Sequence, residues 1–205
     1  MKTLVLASQS PRRRFLLEKA GYQFHTLSIE ISEKLKENLS LDEALQDLAR
    51  QKSEALLESG KLLNLHDILL LSSDTVVVLD GEVIGKPKDL VEAENILGRM
   101  SGRTHKVKTA ICLMELSASG QEVLTSVTAL ETSEVTFKAM SSSEITRYVQ
   151  TQRPLDKAGA YGIQDLPEGV ITHLKGNLDN VMGLPVKLVE ELLTKNGWDV
   201  ARRGN

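Results

Sequence analysis

The sequence predicts an α/β protein in which a mixed β-sheet is flanked by helices. Apolar strand-like runs are interspersed with amphipathic segments that carry helix-capping residues, and two pairs of neighbouring runs are joined by hairpin-like turns. Hairpins pair strands antiparallel, so the sheet is expected to be mixed rather than purely parallel. The 205 residues are 41% apolar and 26% charged, which suits a protein with a buried core and excludes a disordered chain.

Strand signals are separated by turn residues along the whole chain. Asp80-Gly81 and residues 117–120 mark the two hairpin turns. Ser72, Ser73 and Asp74 predict an interruption between two strands. The predicted strands are residues 3–6, 22–29, 68–71, 75–79, 83–84, 104–115, 122–137 and 170–174.

Helices are predicted where capping residues precede a run of helical periodicity. Ser10 and Pro11 begin the first helix, which ends before Gly21. Ser40 and Ser141 each precede a glutamate by three residues, which is the spacing of a capping box. The predicted helices are residues 11–20, 40–58, 90–100, a short segment after Ser141, and residues 184–195.

Charge, cysteine content and apolar runs exclude several classes of protein. The net charge of −3 argues against nucleic acid or an anionic membrane as a partner. A single cysteine excludes a disulfide scaffold, and Cys112 is expected to be a buried strand residue, with a nucleophile as the alternative. No secretion signal or apolar run of ~18 residues is recognised, so a cytoplasmic location is expected.

The first candidate site lies at residues 8–14, where a strand leads through a short turn into a helix. Backbone N–H groups at a helix start and forked guanidinium groups both bind phosphate. Arg12, Arg13 and Arg14 are otherwise unfavourable here, because the helix dipole favours anions at this end. The pattern indicates an anion-binding turn, with solvated charge after a cap as the alternative.

The second candidate is Asp74, between two strand signals. A carboxylate at a strand end can accept a proton from water or hold a divalent ion. An aspartate in a turn between strands explains the same residues equally well.

Lys86, His105 and two glycine-containing loops complete the candidates. Lys86 lies in a turn, where a lysine is usually solvated, and His105 is expected to be a packed or surface side chain rather than a base. Residues 156–164 combine two glycines with aspartate, lysine, tyrosine and glutamine, so a ligand-binding loop and a structural loop are both open. Residues 177–185 form another such loop.

Taken together, the motifs SQSPRR, SSDTVV, GKP, SGRTHKVKT, DKAGAYGIQ and NVMGLP occur in the order typical of one family. The chain resembles the Maf proteins, which are nucleoside triphosphate pyrophosphatases. The resemblance implies a single Maf-like domain over residues 1–205, with two lobes around a deep cleft and a kinship to the inosine triphosphate pyrophosphatases. It also implies hydrolysis of a nucleoside triphosphate to the monophosphate and pyrophosphate, with Mg²⁺ or Mn²⁺.

Within the family, the chain is similar to the branch that acts on dTTP and UTP. That branch carries Pro-Arg-Arg, Ser-Asp-Thr and Gly-Ile-Gln, which here end at Arg13, Thr75 and Gln164. The branch that resembles 7-methyl-GTP pyrophosphatases has a tryptophan after the proline of the first motif, and this chain has Arg12 there.

The resemblance implies a role for each matching residue. Asp74 matches the proton acceptor and, with Glu33, a metal ligand. The specificity positions are Arg12, Thr75 and Gln164, and the phosphate contacts are Ser8, Arg13, Lys52 and Lys86. For Lys52, a solvated charge on the helix of residues 40–58 is the alternative.

Two other functions stay open at this point. One is the same chemistry on a purine or non-canonical nucleotide, and the other is a nucleotide-binding regulator of cell division. A homodimer is the expected oligomeric state.

Overall fold

The computed structural model describes residues 1–32, 35–63 and 65–203. The strands are β1 (Thr3–Ala7), β2 (His25–Leu27), β3 (Ile68–Leu79), β4 (Glu82–Ile84), β5 (Thr104–Leu116), β6 (Val123–Phe137) and β7 (Ile171–Lys175). They form one seven-stranded sheet in the order β2-β1-β3-β5-β6-β7, with β4 paired to β3. β1 is parallel to β2 and β3, whereas β4 is antiparallel to β3 and β7 to β6. The predicted mixed sheet is confirmed.

The helices predicted after Ser10, Ser40 and Ser141 begin at those capping residues. Ser10 Oγ accepts a hydrogen bond from the backbone N–H of Arg13, and Ser40 and Ser141 both form complete capping boxes. The helices are α1 (Pro11–Lys19), α2 (Leu41–Glu58), α3 (Leu90–Met100), α4 (Ser142–Thr151), α5 (Leu178–Met182) and α6 (Val186–Lys195). Three short 3₁₀ helices, Pro154–Asp156, Ala158–Ala160 and Ile163–Asp165, follow α4.

One predicted strand and one predicted loop differ in the structure. The strand predicted at residues 22–29 is only His25–Leu27, because the N–H of Tyr22 donates to Leu17 at the end of α1 and Tyr22 bridges to Arg202. The loop predicted at residues 177–185 contains α5.

The chain divides into two compact units, each assembled from segments distant in sequence. The first unit comprises Met1–Asp74, Thr109–Glu131 and Gly183–Asn205, and the second comprises Thr75–Lys108 and Thr132–Met182. Neither unit is continuous in sequence. The single domain over residues 1–205 stays a prediction.

The first unit buries β1 and the first part of β3, which are parallel to each other. Residues 4–6 and 68–71 are at most 1% exposed, which is typical of strands covered on both faces. α2 buries Leu45, Leu48 and Leu56 at helical spacing.

β3 runs without a break from Ile68 to Leu79, so the predicted interruption at residues 72–74 is wrong. Side chains alternate along a strand, which places Ser72 and Asp74 on one face and Ser73 on the other. All three side chains are buried, yet each has a hydrogen-bond partner within the first unit. Polar residues satisfied in this way can remain inside a strand.

Hydroxyl groups hold α2 against β3. The Ser72 hydroxyl donates to the carbonyl oxygen of Ala49 at 2.6 Å and lies 2.8 Å from Ser53 Oγ. Ala49 and Ser53 are four residues apart and share one face of α2. This contact fixes which residues of α2 lie opposite β3, and Lys52 is among them.

The second unit has an apolar core that includes a cluster of three rings. The His105 ring meets Phe137 edge-on at 4.8 Å between centroids and Tyr161 at 5.4 Å, and Nε2 of His105 lies 2.8 Å from the Tyr161 hydroxyl. Around these rings the buried apolar side chains include Val77, Leu79, Ile84, Ile96, Leu97, Met100, Val107, Val135, Ile145, Val149 and Val170.

Gly159 is required by both its backbone and its surroundings. Its φ is +71°, and an added Cβ would lie 2.8 Å from Cγ2 of Val77. Gly159 also donates its N–H to the carbonyl oxygen of Gly85, which joins the DKAGAYGIQ and GKP segments.

We expect Gly159→Ala to lower the free energy of unfolding by about 2–4 kcal/mol, from left-handed backbone strain and overpacking against Val77. Gly98→Ala is the matched control, because Gly98 lies within α3 and nothing stands within 4 Å of its added Cβ. That control should gain about 0.5–1 kcal/mol. Urea unfolding of both variants measures the difference, and equal stabilities would contradict the requirement for glycine at 159.

Candidate functional site

The turn between β1 and α1 gathers hydrogen-bonding groups around Ser8. Its hydroxyl oxygen accepts from the N–H of Ser10 at 3.1 Å and from Nη1 of Arg13 at 3.2 Å. Arg13 also donates Nε–H to the carbonyl oxygen of Gly183 at 2.9 Å. The predicted phosphate contacts Ser8 and Arg13 therefore lie together, with the guanidinium held at a helix start.

The carbonyl oxygen of Gly183 also accepts a hydrogen bond from β3, next to the second candidate residue, Asp74. The Ser73 hydroxyl donates to the same carbonyl oxygen at 3.2 Å. A single backbone carbonyl of the NVMGLP motif thus connects the β1–α1 turn to β3. The sequence motif pointed to this segment, but no residue in it was assigned a role.

The other two arginines of the cluster have different environments. Arg12 is half-buried in the first turn of α1. Arg14 forms an exposed ion pair with Glu18, one turn further along the helix, at 2.8 Å. Arg14 is accounted for as part of the solvated face of α1.

The structure joins Lys52 to Asp74. The Lys52 ammonium donates to Oδ1 of Asp74 at 2.5 Å, and the two side chains are 13% and 11% exposed. Lys52 is therefore not the solvated charge that its helix position also allowed. The carboxylate of Asp74, in the middle of β3, is therefore in direct contact with the positive charge of Lys52.

The predicted metal ligands are Asp74 and Glu33. Glu33 lies outside the described residues. Among the residues that the structure describes, no group of three or more His, Cys, Asp or Glu side chains is placed to hold a metal ion. Mg²⁺ needs only one or two carboxylates together with water and phosphate oxygens, so Asp74 is compatible with a metal delivered on a triphosphate.

Three predicted residues lie in the second unit. Thr75 is half-buried in β3, directly after Asp74, and Lys86 is exposed in the loop after β4. The exposed Gln164 lies in the last 3₁₀ helix and donates Nε2–H to Oδ2 of Asp165 at 3.0 Å. The hydrogen bond from the N–H of Gly159 to the carbonyl oxygen of Gly85 brings the loop of Lys86 against the DKAGAYGIQ segment.

Sequence reasoning assigned no role to Lys157, which is 6% exposed. Its ammonium donates to the carbonyl oxygen of Arg153 and to Oδ1 of Asp156 at 2.8 Å, and it lies 3.8 Å from Oδ2 of Asp165. The sequence signal for Lys157 was its place in the DKAGAYGIQ segment, between Asp156 and Ala158.

Cys112 and His105 are structural, as expected. Cys112 is fully buried, and burial raises the pKa of its thiol, which does not suit a nucleophile. Burial lowers the pKa of His105 to about 4, so its imidazole is neutral near pH 7. No helix within residues 1–32, 35–63 and 65–203 is long and apolar enough to cross a membrane.

These features define an α/β protein with an arginine held at a helix start by Ser8 and Gly183 and an ion-paired carboxylate inside a strand. The family model for Maf-like protein matches residues 3–196. The chain is 41% identical over 192 residues to a dTTP/UTP pyrophosphatase of Bdellovibrio bacteriovorus, covering 94% of this chain and 97% of that protein. It is 40% identical to a nucleoside triphosphate pyrophosphatase of Haemophilus ducreyi, covering 97% and 98%. This chain belongs to the Maf family, which confirms the resemblance seen in its motifs.

Among solved structures, the chain is similar to the Ham1 protein of Staphylococcus aureus. The TM-score is 0.44 and the identity 19%, over 95% of this chain and 100% of that chain.

The buried His105 predicts a pH-dependent stability. Its pKa is lowered in the folded chain from 6.5 to about 4, so only the unfolded chain takes up a proton between these values. The free energy of unfolding is therefore highest above about pH 6.5. It falls by up to about 3 kcal/mol as the pH is lowered towards 4.

We expect wild type to lose this stability relative to His105→Gln, which cannot titrate. The measurement is denaturant unfolding of both proteins at several pH values between about 7 and 4. His173→Gln, on the exposed β7, is the control and should follow wild type. Parallel curves for wild type and His105→Gln would contradict the assignment.

Proposed function

We propose that this chain is a nucleoside triphosphate pyrophosphatase that hydrolyses dTTP and UTP to the monophosphate and pyrophosphate. The observation that carries the proposal is the buried Asp74–Lys52 pair, which lies in the same unit as the hydrogen-bonded Ser8 and Arg13. The relatives named dTTP/UTP pyrophosphatase and nucleoside triphosphate pyrophosphatase support the reaction class and the two substrates. House-cleaning of the nucleotide pool is the corresponding cellular role.

Asp74 is the proton acceptor in this proposal. Its Oδ1 is engaged by Lys52, so Oδ2 is the oxygen that orients a water molecule and takes its proton. The water attacks the α-phosphorus in line with the bridging oxygen, the bond to that oxygen breaks, and pyrophosphate leaves. No covalent intermediate is needed.

The cationic residues neutralise the triphosphate. The chain has a net charge of −3, so an anionic substrate has to be held by a local concentration of positive charge. Arg13 supplies a guanidinium already oriented by Ser8 and Gly183, and Lys52 and Lys86 supply ammonium groups. Prepositioned charges lower the barrier because they need no rearrangement during the reaction.

A divalent ion completes the proposed chemistry. When bound, Mg²⁺ or Mn²⁺ polarises the phosphate and offsets its negative charge. Asp74 would hold it from this chain, and Glu33 is the second proposed ligand.

Base recognition is assigned to Arg12, Thr75 and Gln164. Uracil and thymine present an acceptor, a donor and an acceptor along one edge, whereas cytosine replaces the carbonyl at position 4 with an amine. A carboxamide can both accept and donate, and a guanidinium favours a carbonyl over an amine. A bound base covers these groups, and the wrong base leaves them covered but unpaired, which makes such a site selective. A cytoplasmic location and a homodimer stay predictions.

We expect Asp74→Asn to retain the fold and nucleotide binding while pyrophosphate release falls by about 10²–10⁴-fold, because an amide cannot accept the proton of water. Asp80→Asn is the matched control, since Asp80 lies in the exposed β3–β4 turn, where asparagine is well tolerated. It should retain full activity. Wild-type turnover by Asp74→Asn would remove Asp74 from its role, and binding without turnover by wild type would favour the regulator instead.

We expect wild type to hydrolyse dTTP and UTP in preference to CTP, ATP and GTP. Gln164→Ala should reduce this preference more than it weakens triphosphate binding, because Gln164 is proposed to contact the base of the nucleotide and not its phosphates. Steady-state kinetics with the five nucleotides measure both effects, and Gln121→Ala, in an exposed turn, is the control. A preference for a purine triphosphate in wild type would favour the purine-directed alternative and end the pyrimidine assignment.

A further inference from the structure

Lys157 is a buried cation in the second unit, and its ammonium group lies among hydrogen-bond acceptors. Its side chain is 7% exposed. A buried ammonium is costly unless it is paired and hydrogen-bonded. The Arg153 carbonyl and Asp156 Oδ1 accept its hydrogen bonds, and Asp165 adds a second carboxylate at 3.8 Å.

The second carboxylate also contacts the proposed base-reading residue. Oδ2 of Asp165 is the oxygen that faces Lys157, and the same oxygen accepts from Nε2 of Gln164 at 3.0 Å. An ionised carboxylate can only accept hydrogen bonds, so the amide nitrogen of Gln164 has to face it. The amide oxygen Oε1 is then the acceptor that Gln164 offers to a ligand.

The side chains of Lys157, Gln164 and Asp165 converge over Gly162. A Cβ added to Gly162 would collide with Asp165 Oδ2 and would lie 2.7 Å from Gln164 Nε2 and 3.0 Å from Lys157 Cε. The backbone there is fixed too, since the Gly162 N–H donates to the Tyr148 hydroxyl at 3.1 Å. The network is therefore packed against a tethered backbone.

We propose that Lys157 and Asp165 are positioning residues that set the pyrimidine specificity by fixing the amide orientation of Gln164. Lys157 holds the Asp165 carboxylate, and Asp165 holds the Gln164 nitrogen, which leaves Oε1 as an acceptor for the base. Uracil and thymine offer a donor, N3–H, to such an acceptor, whereas N3 of cytosine is itself an acceptor. This inference rests on the proposed function, because it requires Gln164 to read the base.

Asp165→Asn tests the orientation with almost no change of shape. An asparagine presents either an oxygen or an NH₂ group to Gln164, so the Gln164 amide is free to turn and can offer a donor to cytosine. Lys157→Met tests the same network from the other end, by removing the charge that holds Asp165. Asp156→Asn is the matched control, because Asp156 also pairs with Lys157 but has an exposed side chain, whereas Asp165 is the carboxylate that accepts from Gln164.

The experiment compares kcat/KM for UTP and CTP in wild type and the variants. We expect the UTP-to-CTP ratio to fall about tenfold in Asp165→Asn and in Lys157→Met, the discrimination expected from one hydrogen bond. Asp156→Asn should keep the wild-type ratio. The double variant Gln164→Ala, Asp165→Asn should have the ratio of Gln164→Ala alone, because Asp165 acts only through Gln164. A loss of stability alone would lower both rates and leave their ratio unchanged.

The failures of the two proposals are distinguishable. If Gln164→Ala lowers the ratio while Asp165→Asn keeps it, the positioning role is overturned and the proposed function stands. If Lys157→Met does not fold, the result for Asp165→Asn decides alone. If wild type shows no preference for UTP over CTP, the base assignment fails and the positioning role falls with it.

Discussion

The buried pairing of Lys52 with Asp74 is the interaction on which the candidate site of the first unit depends. A carboxylate inside a strand loses hydration, and a facing ammonium compensates only if the helix that carries it is held in one position. The hydrogen bonds of Ser72 to Ala49 and Ser53 hold it there. The contacts that pack α2 on the sheet therefore also set the geometry of the proposed chemistry.

The arginines at the start of α1 are a second sign of the candidate site, because the helix dipole disfavours positive charge there. Each cation near a helix N-terminus costs about 0.3–1 kcal/mol through the helix dipole. Arg13 offsets this cost with hydrogen bonds to Ser8 and Gly183, whereas Arg14 pairs with Glu18 on the surface. An arginine held in place by backbone and hydroxyl acceptors is oriented before an anion arrives, which lowers the entropy lost on binding.

The second unit uses buried charge in a different way. Lys157 is enclosed by acceptors of its own segment, and its nearest charged neighbours are Asp156 and Asp165. Its effect on a ligand is therefore indirect, through the acceptor-only character of a carboxylate that fixes one amide. Specificity of this kind depends on side chains that never touch the substrate.

Local signals in the sequence were enough for α1, α2 and α4, because Ser10, Ser40 and Ser141 bond to groups only three residues away. The mixed sheet and the family followed from patterns of similar range. The unbroken β3 did not, since the partners of Ser72 lie 19 and 23 residues away. The anchoring of Arg13 at Gly183 spans 170 residues. The burial of Lys52 and Ser72 depends on partners 19 to 23 residues away, and no local pattern in the sequence encodes which residues those are.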